Sequence, residues 1–167
     1  MFRAYCYVKK IYFILPLLTF LIINSGCSQE TGCDLPRQEP LDSASSLHLL
    51  GNSEVTWQTN PPTSGPHYPI PPKGGEYDYQ LSNLEQVSFL ESGGVIIQYR
   101  PDRDDIDHQK LHSFSSASVI VAPNKTIESA LISTAWTWKL SCEEYDSESL
   151  NNFIKDHEGK VSPNHKD

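Results

Sequence analysis

One histidine and one carboxylate stand beside features of the chain that let backbone approach a ligand closely. His67 ends a proline-rich stretch, and Glu91 lies just before the pair Gly93-Gly94. Loops rich in proline and glycine often carry binding residues. An imidazole and a carboxylate are suitable ligands for zinc or copper. We take His67 and Glu91 as candidate ligand-binding residues.

The alternative interpretation of His67 and Glu91 is structural. The imidazole would bond a loop carbonyl and the carboxylate would cap a turn, which also brings the two side chains near each other. Two ligands from separate loops rarely hold a transition metal tightly without a third. His48, or the pair His108 and His112, is a candidate to supplement them.

His108 and His112 are four residues apart in a predicted helix, so both rings lie on one helix face. Histidines with this spacing chelate metals in principle. The competing interpretation is a solvated acidic face, which we favour because no cysteine or further histidine nearby completes the coordination. The aspartates that open this segment do not form a calcium loop, since the required glycine and final glutamate are missing.

Several classes of function lack support in the sequence. Ser92 is outside a GxSxG arrangement, and the chain contains no nucleotide-binding GxxxxGK[ST] or GxGxxG and no CxxC redox motif. The first 26 residues hold three basic side chains and no acidic one, so their removal leaves 10 basic and 21 acidic residues, a formal charge of −11. Such a surface repels nucleic acid phosphates, which excludes a basic-patch nucleic-acid binder.

The elements that must position these residues are readable from apolar periodicity. The pattern predicts strands over 94–100, 118–122 and 130–140 and helices over 102–114 and 146–157. This order indicates one α+β domain with a small mixed β-sheet and two covering helices. The loop 123–129 would join the last two strands as a hairpin, and Trp136 and Trp138 would share one side of the last strand.

A proline-rich segment precedes these elements. Half of the 12 prolines lie between Pro61 and Pro72, which forbids a helix or a central strand there. We therefore predict a long, stiff loop over residues 61–72, which includes His67.

The amino terminus has the pattern of a bacterial lipoprotein signal. Three basic residues precede the apolar run Ile11–Ile23, which is too short to cross a bilayer as a helix of about 20 residues. Ser25-Gly26-Cys27 resembles a lipobox, although Asn24 stands where Leu, Val or Ala is usual. We predict a signal peptide over 1–26, a lipidated Cys27 opening a flexible tether over 27–46, and one globular domain over 47–167. An uncleaved signal anchor is the alternative.

This topology places the domain in the cell envelope, on the non-cytoplasmic side of the membrane. Ser28, directly after the lipidated cysteine, indicates the outer membrane if the cell has two. Only Cys33 and Cys142 then remain in the mature domain, and an oxidising compartment favours a disulfide between them over two unpaired thiols.

Several motifs resemble one family. They are PPTSGPH (61–67), Gly-Glu-Tyr (75–77), Leu-Glu-Ser-Gly-Gly-Val-Ile-Ile-Gln-Tyr (90–99), Ala-Pro-Asn (122–124) and Thr-Ala-Trp (134–136). Over roughly 47–154 the chain resembles the bacterial domain-of-unknown-function family three-one-zero-five. That family usually carries His-Ser-Leu-Glu-His-Gly where this chain has residues 88–93, so Ser88 and Ser92 replace two histidines around Glu91. The resemblance makes Ser88 and Ser92 candidate ligand-binding residues too, although their hydroxyl groups are poor ligands for zinc or copper.

The substitution shapes the functional hypotheses. With the histidine cluster reduced, we expect a lipid-anchored envelope protein with a non-catalytic binding domain and no cofactor. Its partners would be the membrane, through the lipid on Cys27, and an envelope protein. The alternative is a copper- or zinc-binding protein, or a metal-dependent enzyme, that uses His67 and Glu91.

Overall fold

The structure is a computed structural model that describes residues 32–51 and 54–160. The predicted signal peptide, Cys27 and the last seven residues lie outside the described part. Within the described residues, no helix combines the length and the apolar character needed to cross a membrane.

The described residues form a six-stranded mixed sheet with three helices, which confirms the predicted α+β single domain with a mixed sheet. The strands are β1 (Arg37–Gln38), β2 (Gly75–Glu76), β3 (Val95–Tyr99), β4 (Val119–Pro123), β5 (Leu131–Ala135) and β6 (Trp138–Cys142). The helices are α1 (Asn83–Glu91), α2 (His108–His112) and α3 (Ser147–His157). Strand order is β1-β6-β5-β3-β4-β2, with β4 parallel to both β3 and β2 and the remaining pairs antiparallel.

Strand β3 is the centre of the molecule because every one of its residues is buried. Val95, Ile97 and Tyr99 face an apolar cluster that includes Leu150 and Phe153 of α3. The residue between the first two, Ile96, faces a second cluster that includes Leu90 of α1. The alternation of side chains along a strand thus separates two cores, one on each face of the sheet.

The prediction of one strand over 130–140 was wrong. The chain turns at Trp136-Thr137, where Thr137 has a positive φ of 59°, and β5 and β6 pair as an antiparallel hairpin. The predicted hairpin across 123–129 was also wrong, since β3 lies between β4 and β5. As a result the two tryptophans do not share a side. Trp136 packs in the cluster under α1, and Trp138 packs against the other cluster.

The predicted helix at 146–157 is confirmed as α3, whose cap Asp146 accepts bonds from the amides of Glu148 and Ser149. The helix predicted over 102–114 is limited to α2. Helix α1 was not predicted, so the sheet carries three helices where sequence analysis expected two. It begins with a capping box in which the Ser82 hydroxyl accepts from the Glu85 amide and the Glu85 carboxylate accepts from the Ser82 amide.

A buried chain of amides holds α1 against β3. Gln98 of β3 donates to the side-chain oxygen of Gln86 over 3.2 Å, and Gln86 donates to the carbonyl of Leu81 over 2.9 Å. Asn124 completes the chain by donating to Gln98 over 2.6 Å. Because each amide has a partner, burial of these polar groups does not leave bonds unmade, and the position of α1 is fixed.

The domain begins earlier than predicted. Cys33 forms the predicted disulfide with Cys142, and β1 pairs with β6. Further along, the amide of Asp42 donates to the hydroxyl of Ser64 over 2.9 Å. Residues 33–46 therefore pack on the domain, which corrects their assignment to a flexible tether.

The segment that opens the proline-rich loop is part of the interior, since all residues from Pro61 to His67 are buried. The amide of Thr137 donates to the Thr63 carbonyl over 3.0 Å. The ammonium of Lys139 donates to the Asn60 carbonyl over 3.1 Å and lies 3.5 Å from the Glu39 carboxylate. Burial lowers the pKa of Lys139, and the nearby carboxylate opposes this shift. These contacts pin the loop to the turn between β5 and β6.

Candidate functional site

His67 is held by a short ribbon of backbone. Its amide donates to the Leu47 carbonyl over 3.1 Å, and its own carbonyl accepts from the Leu49 amide over 2.9 Å. This places His48 opposite His67 in a parallel bridge. The two imidazole rings meet edge to face with centroids 4.6 Å apart. Residues 47–49 thus place a second histidine, His48, beside His67 at the end of the PPTSGPH stretch.

Glu91 is the last residue of α1 and reaches the same place. The Ser88 hydroxyl, one turn earlier, donates to the Tyr68 carbonyl over 2.7 Å and so ties the helix to the residue after His67. Oε2 of Glu91 contacts Nε2 of His67 and lies 3.9 Å from Nε2 of His48. The sequence predicted that His67 and Glu91 lie together, and they do.

The three side chains form one compact cluster, which we call the His48–His67–Glu91 site. One ligand atom from each lies within 4.8 Å of the others. His67 has 1% of its side chain exposed and Glu91 has 11%, whereas His48 has 44%. The site therefore has a buried floor and one side that opens to solvent at His48.

The orientation of the His67 ring is fixed by a hydrogen bond at the ring nitrogen that does not contact Glu91. Its Nδ1 lies 2.9 Å from the Gly65 carbonyl, and because a carbonyl only accepts, Nδ1 must carry the proton. In the neutral ring Nε2 then presents its lone pair to Glu91 and His48. Gly65 has a φ of +127°, and a Cβ there would lie 2.7 Å from the Trp57 ring. Glycine is therefore required at the residue that orients the imidazole.

The two serines beside Glu91 make bonds to backbone. Ser88 is 3% exposed and bonds Tyr68 as described above. Ser92 caps α1 at the surface, and its hydroxyl donates to the Phe89 carbonyl over 2.7 Å. Ser88, three residues before Glu91, lies on the same side of the helix, whereas Ser92 directly follows Glu91 and does not.

His108 and His112 lie away from this site. Both pack on Tyr99, whose side chain belongs to the core on the opposite face of the sheet from α1. Nδ1 of His112 lies 2.7 Å from Oε1 of Glu76. They therefore do not supplement His67 and Glu91, and His48 is the residue that does.

Comparison with known proteins gives a family but no described relative. No curated protein and no solved structure matches the chain. A family model described as "Protein of unknown function (DUF3105)" matches residues 48–167, a span that contains the PPTSGPH stretch, α1 and every ligand atom of the His48–His67–Glu91 site. Since the match covers well over half of the sequence, the chain belongs to this family of proteins of unknown function.

Proposed function

We propose that the protein is a lipid-anchored envelope protein whose domain binds a transition-metal ion, zinc or copper. The ligands are His48, His67 and Glu91. The observation that carries the proposal is the convergence of one ligand atom from each residue within 4.8 Å. In a tetrahedral zinc site with bonds of about 2.0–2.2 Å, ligand atoms lie about 3.4 Å apart, so small side-chain adjustments suffice.

The type of donor atom selects the metal. Two imidazole nitrogens and one carboxylate oxygen suit zinc or Cu²⁺, whereas Ca²⁺ and Mg²⁺ prefer a shell made of oxygen atoms. Three protein ligands leave a fourth position for water or a ligand. The exposed His48 gives solvent access to the site. A metal held in this way exchanges with solvent more readily than one enclosed by four protein ligands.

The bond from Nδ1 of His67 to Gly65 supports metal binding. A histidine that ligates a metal commonly donates its other N–H to a carbonyl or carboxylate, which fixes the ring and the tautomer. His67 makes such a bond with the Gly65 carbonyl at 2.9 Å. In the competing account His67 is protonated and forms a buried ion pair with Glu91. That account gives His48 no role.

A metal titration separates the two accounts. In calorimetry with Zn²⁺ and Cu²⁺, His48→Gln is expected to weaken binding at this site at least tenfold, because one of three ligands is lost. His48 is exposed, so the variant should keep the wild-type circular dichroism and melting temperature. Glu128→Gln, at an exposed glutamate remote in sequence from all three ligands, is the matched control and should bind as wild type.

An ion pair alone predicts a different result. His48→Gln would then bind metal as the wild type does, and elemental analysis of protein purified without chelator would find no ion that depends on His48. Either outcome would overturn the proposed metal site.

The lipid anchor is proposed from the signal-like segment and Cys27, and it has its own test. Cys27→Ser should move the protein from the membrane fraction to the soluble fraction, or leave it unprocessed, and should abolish incorporation of labelled palmitate. Cys6→Ser removes a cysteine that the predicted cleavage discards, so this control should stay acylated and membrane-bound. Acylated protein from the Cys27→Ser variant would contradict the anchor.

A further inference from the structure

We infer that His108 and His112 form a second site for a transition-metal ion such as Zn²⁺ or Ni²⁺, independent of the His48–His67–Glu91 site. It lies on the other face of the sheet, where α2 covers the carboxyl end of β3. Sequence analysis favoured a solvated acidic face for this helix. The contacts of the two imidazoles give the reason to replace that interpretation.

The short helix α2 sets the spacing. It begins at the cap Asp107, whose side chain accepts from the Lys110 amide. His108 and His112 are its first and last residues, and side chains four apart on a helix project from the same face. The Tyr99 ring packs against both, with centroids 4.7 Å from His108 and 6.3 Å from His112. The tyrosine thus supports both imidazoles from the sheet.

Glu76 orients one of the two rings. This residue lies on β2 opposite Val121, a residue of the core on this face. Its Oε1 accepts from Nδ1 of His112 over 2.7 Å. In the neutral ring the lone pair then resides on Nε2. A carboxylate behind a histidine both fixes the tautomer and makes the free nitrogen a better ligand.

The Nε2 atoms of His108 and His112 are both shielded from solvent and have no hydrogen-bond partner among the described residues. Buried ring nitrogens are normally satisfied, so two such atoms one turn apart on the same helix face require an explanation. A metal ion would satisfy both nitrogens at once when each ring carries its proton on Nδ1, and water would fill its remaining positions. Histidine pairs with this spacing bind zinc in other proteins.

The charges around the pair favour a cation. Glu76 and Asp78 lie close enough to Tyr99 to raise its pKa, after the larger effect of burial. The lysine of α2, Lys110, interacts with other groups, because its Nζ lies 3.4 Å from Asp107 and 5.8 Å from the centre of the Tyr145 ring. No positive side chain of α2 therefore competes for the two nitrogens.

The test is a Zn²⁺ and Ni²⁺ titration of the full chain in detergent, with bound metal counted by elemental analysis. Wild type should bind two ions. His108→Gln with His112→Gln should bind one, and His48→Gln with His67→Gln should also bind one, through the second site alone. His157→Gln is the control, since this histidine stacks on Trp138 and Phe153 outside both sites, and it should bind two.

The role of Glu76 has a separate readout. Glu76→Gln should weaken the second site by about 10- to 100-fold and leave the first unchanged. Imidazole resonances in NMR should show His108 and His112 shifting together when the second equivalent of Zn²⁺ is added. The inference is overturned if the His108 and His112 double variant still binds as many ions as wild type, or if the His48 and His67 double variant binds none. If the His48–His67–Glu91 site binds no metal, the wild type should bind one ion and the His108 and His112 double variant none, which would still support the inference.

Discussion

Replacing Cys33 and Cys142 together with alanine is expected to lower the free energy of unfolding by about 4–5 kcal/mol. The disulfide joins residues separated by 109 positions, and a closed loop of that size strongly restricts the unfolded chain. Both cysteines are also buried, so changes in solvent-exposed side chains should contribute little to the loss of stability. Guanidinium unfolding of residues 28–167 measures the loss, and the melting temperature should fall by about 10–20 °C.

Two comparisons make this prediction specific. Wild type in excess reductant should approach the double variant, whereas the double variant should not respond to reductant. The exposed Ser43 provides a substitution control, since Ser43→Ala should leave the unfolding midpoint equal to that of the wild type within experimental error. Equal midpoints for wild type and the double variant would show that the disulfide does not stabilise the fold.

Changing Ser92 to histidine is expected to raise the affinity of the His48–His67–Glu91 site for Zn²⁺ or Cu²⁺ by about tenfold or more. The family pattern carries histidine at this position, and Ser92 lies at the exposed end of α1, where no core packing opposes a larger side chain. One added ligand turns a three-ligand site into a four-ligand site, and 1.4 kcal/mol suffices for each factor of ten. Calorimetry with each metal gives the change.

The double variant Ser88→His with Ser92→His restores the pattern that the family resemblance implies. Ser88 is buried and bonds the Tyr68 carbonyl, so its replacement should cost stability while the affinity for metal rises further. Asn152→His adds an exposed histidine on α3, remote in sequence from all three ligands, and should leave the affinity unchanged. If neither serine variant binds metal more tightly than Asn152→His, the family pattern around Glu91 does not make a metal site.

The sequence predicted best where one physical pattern dominated. The β-branched run of β3 predicted a buried strand, and the apolar spacing of Leu150 and Phe153 predicted α3. The disulfide followed from the compartment and the number of cysteines. In each case the local pattern and the tertiary environment agree.

Helix α1 escaped prediction because it is buried nearly all round. The residues from Gln86 to Leu90 are all buried, so no exposed polar face marks a helical period. The signal that would have found it is the capping box, Ser82 followed three residues later by Glu85. The turn inside the predicted strand 130–140 was hidden for another reason. Thr137 adopts a positive φ although none of its neighbours is glycine, proline or asparagine.

The site was only partly predictable. His67 and Glu91 were placed together by their neighbouring proline and glycine residues, but His48 gave no local indication of its role. Its position depends on a backbone bridge between segments 19 residues apart, and on residues 33–46 that were assigned to a tether. Pairings of this kind are fixed by tertiary structure, which no local pattern encodes.

If Cys27 carries the proposed lipid, the docking of residues 33–46 would also limit how far the domain can stand from the bilayer. Between a lipid on Cys27, as proposed, and the fixed Cys33 there are six residue steps, a reach of at most about 20 Å. Cys142 pairs through β5 with the carboxyl end of β3, while Glu91 precedes its amino end. The lipid would thus hold the end of the domain near Cys33 against the headgroups, and the His48–His67–Glu91 site would lie toward the opposite end, away from the bilayer.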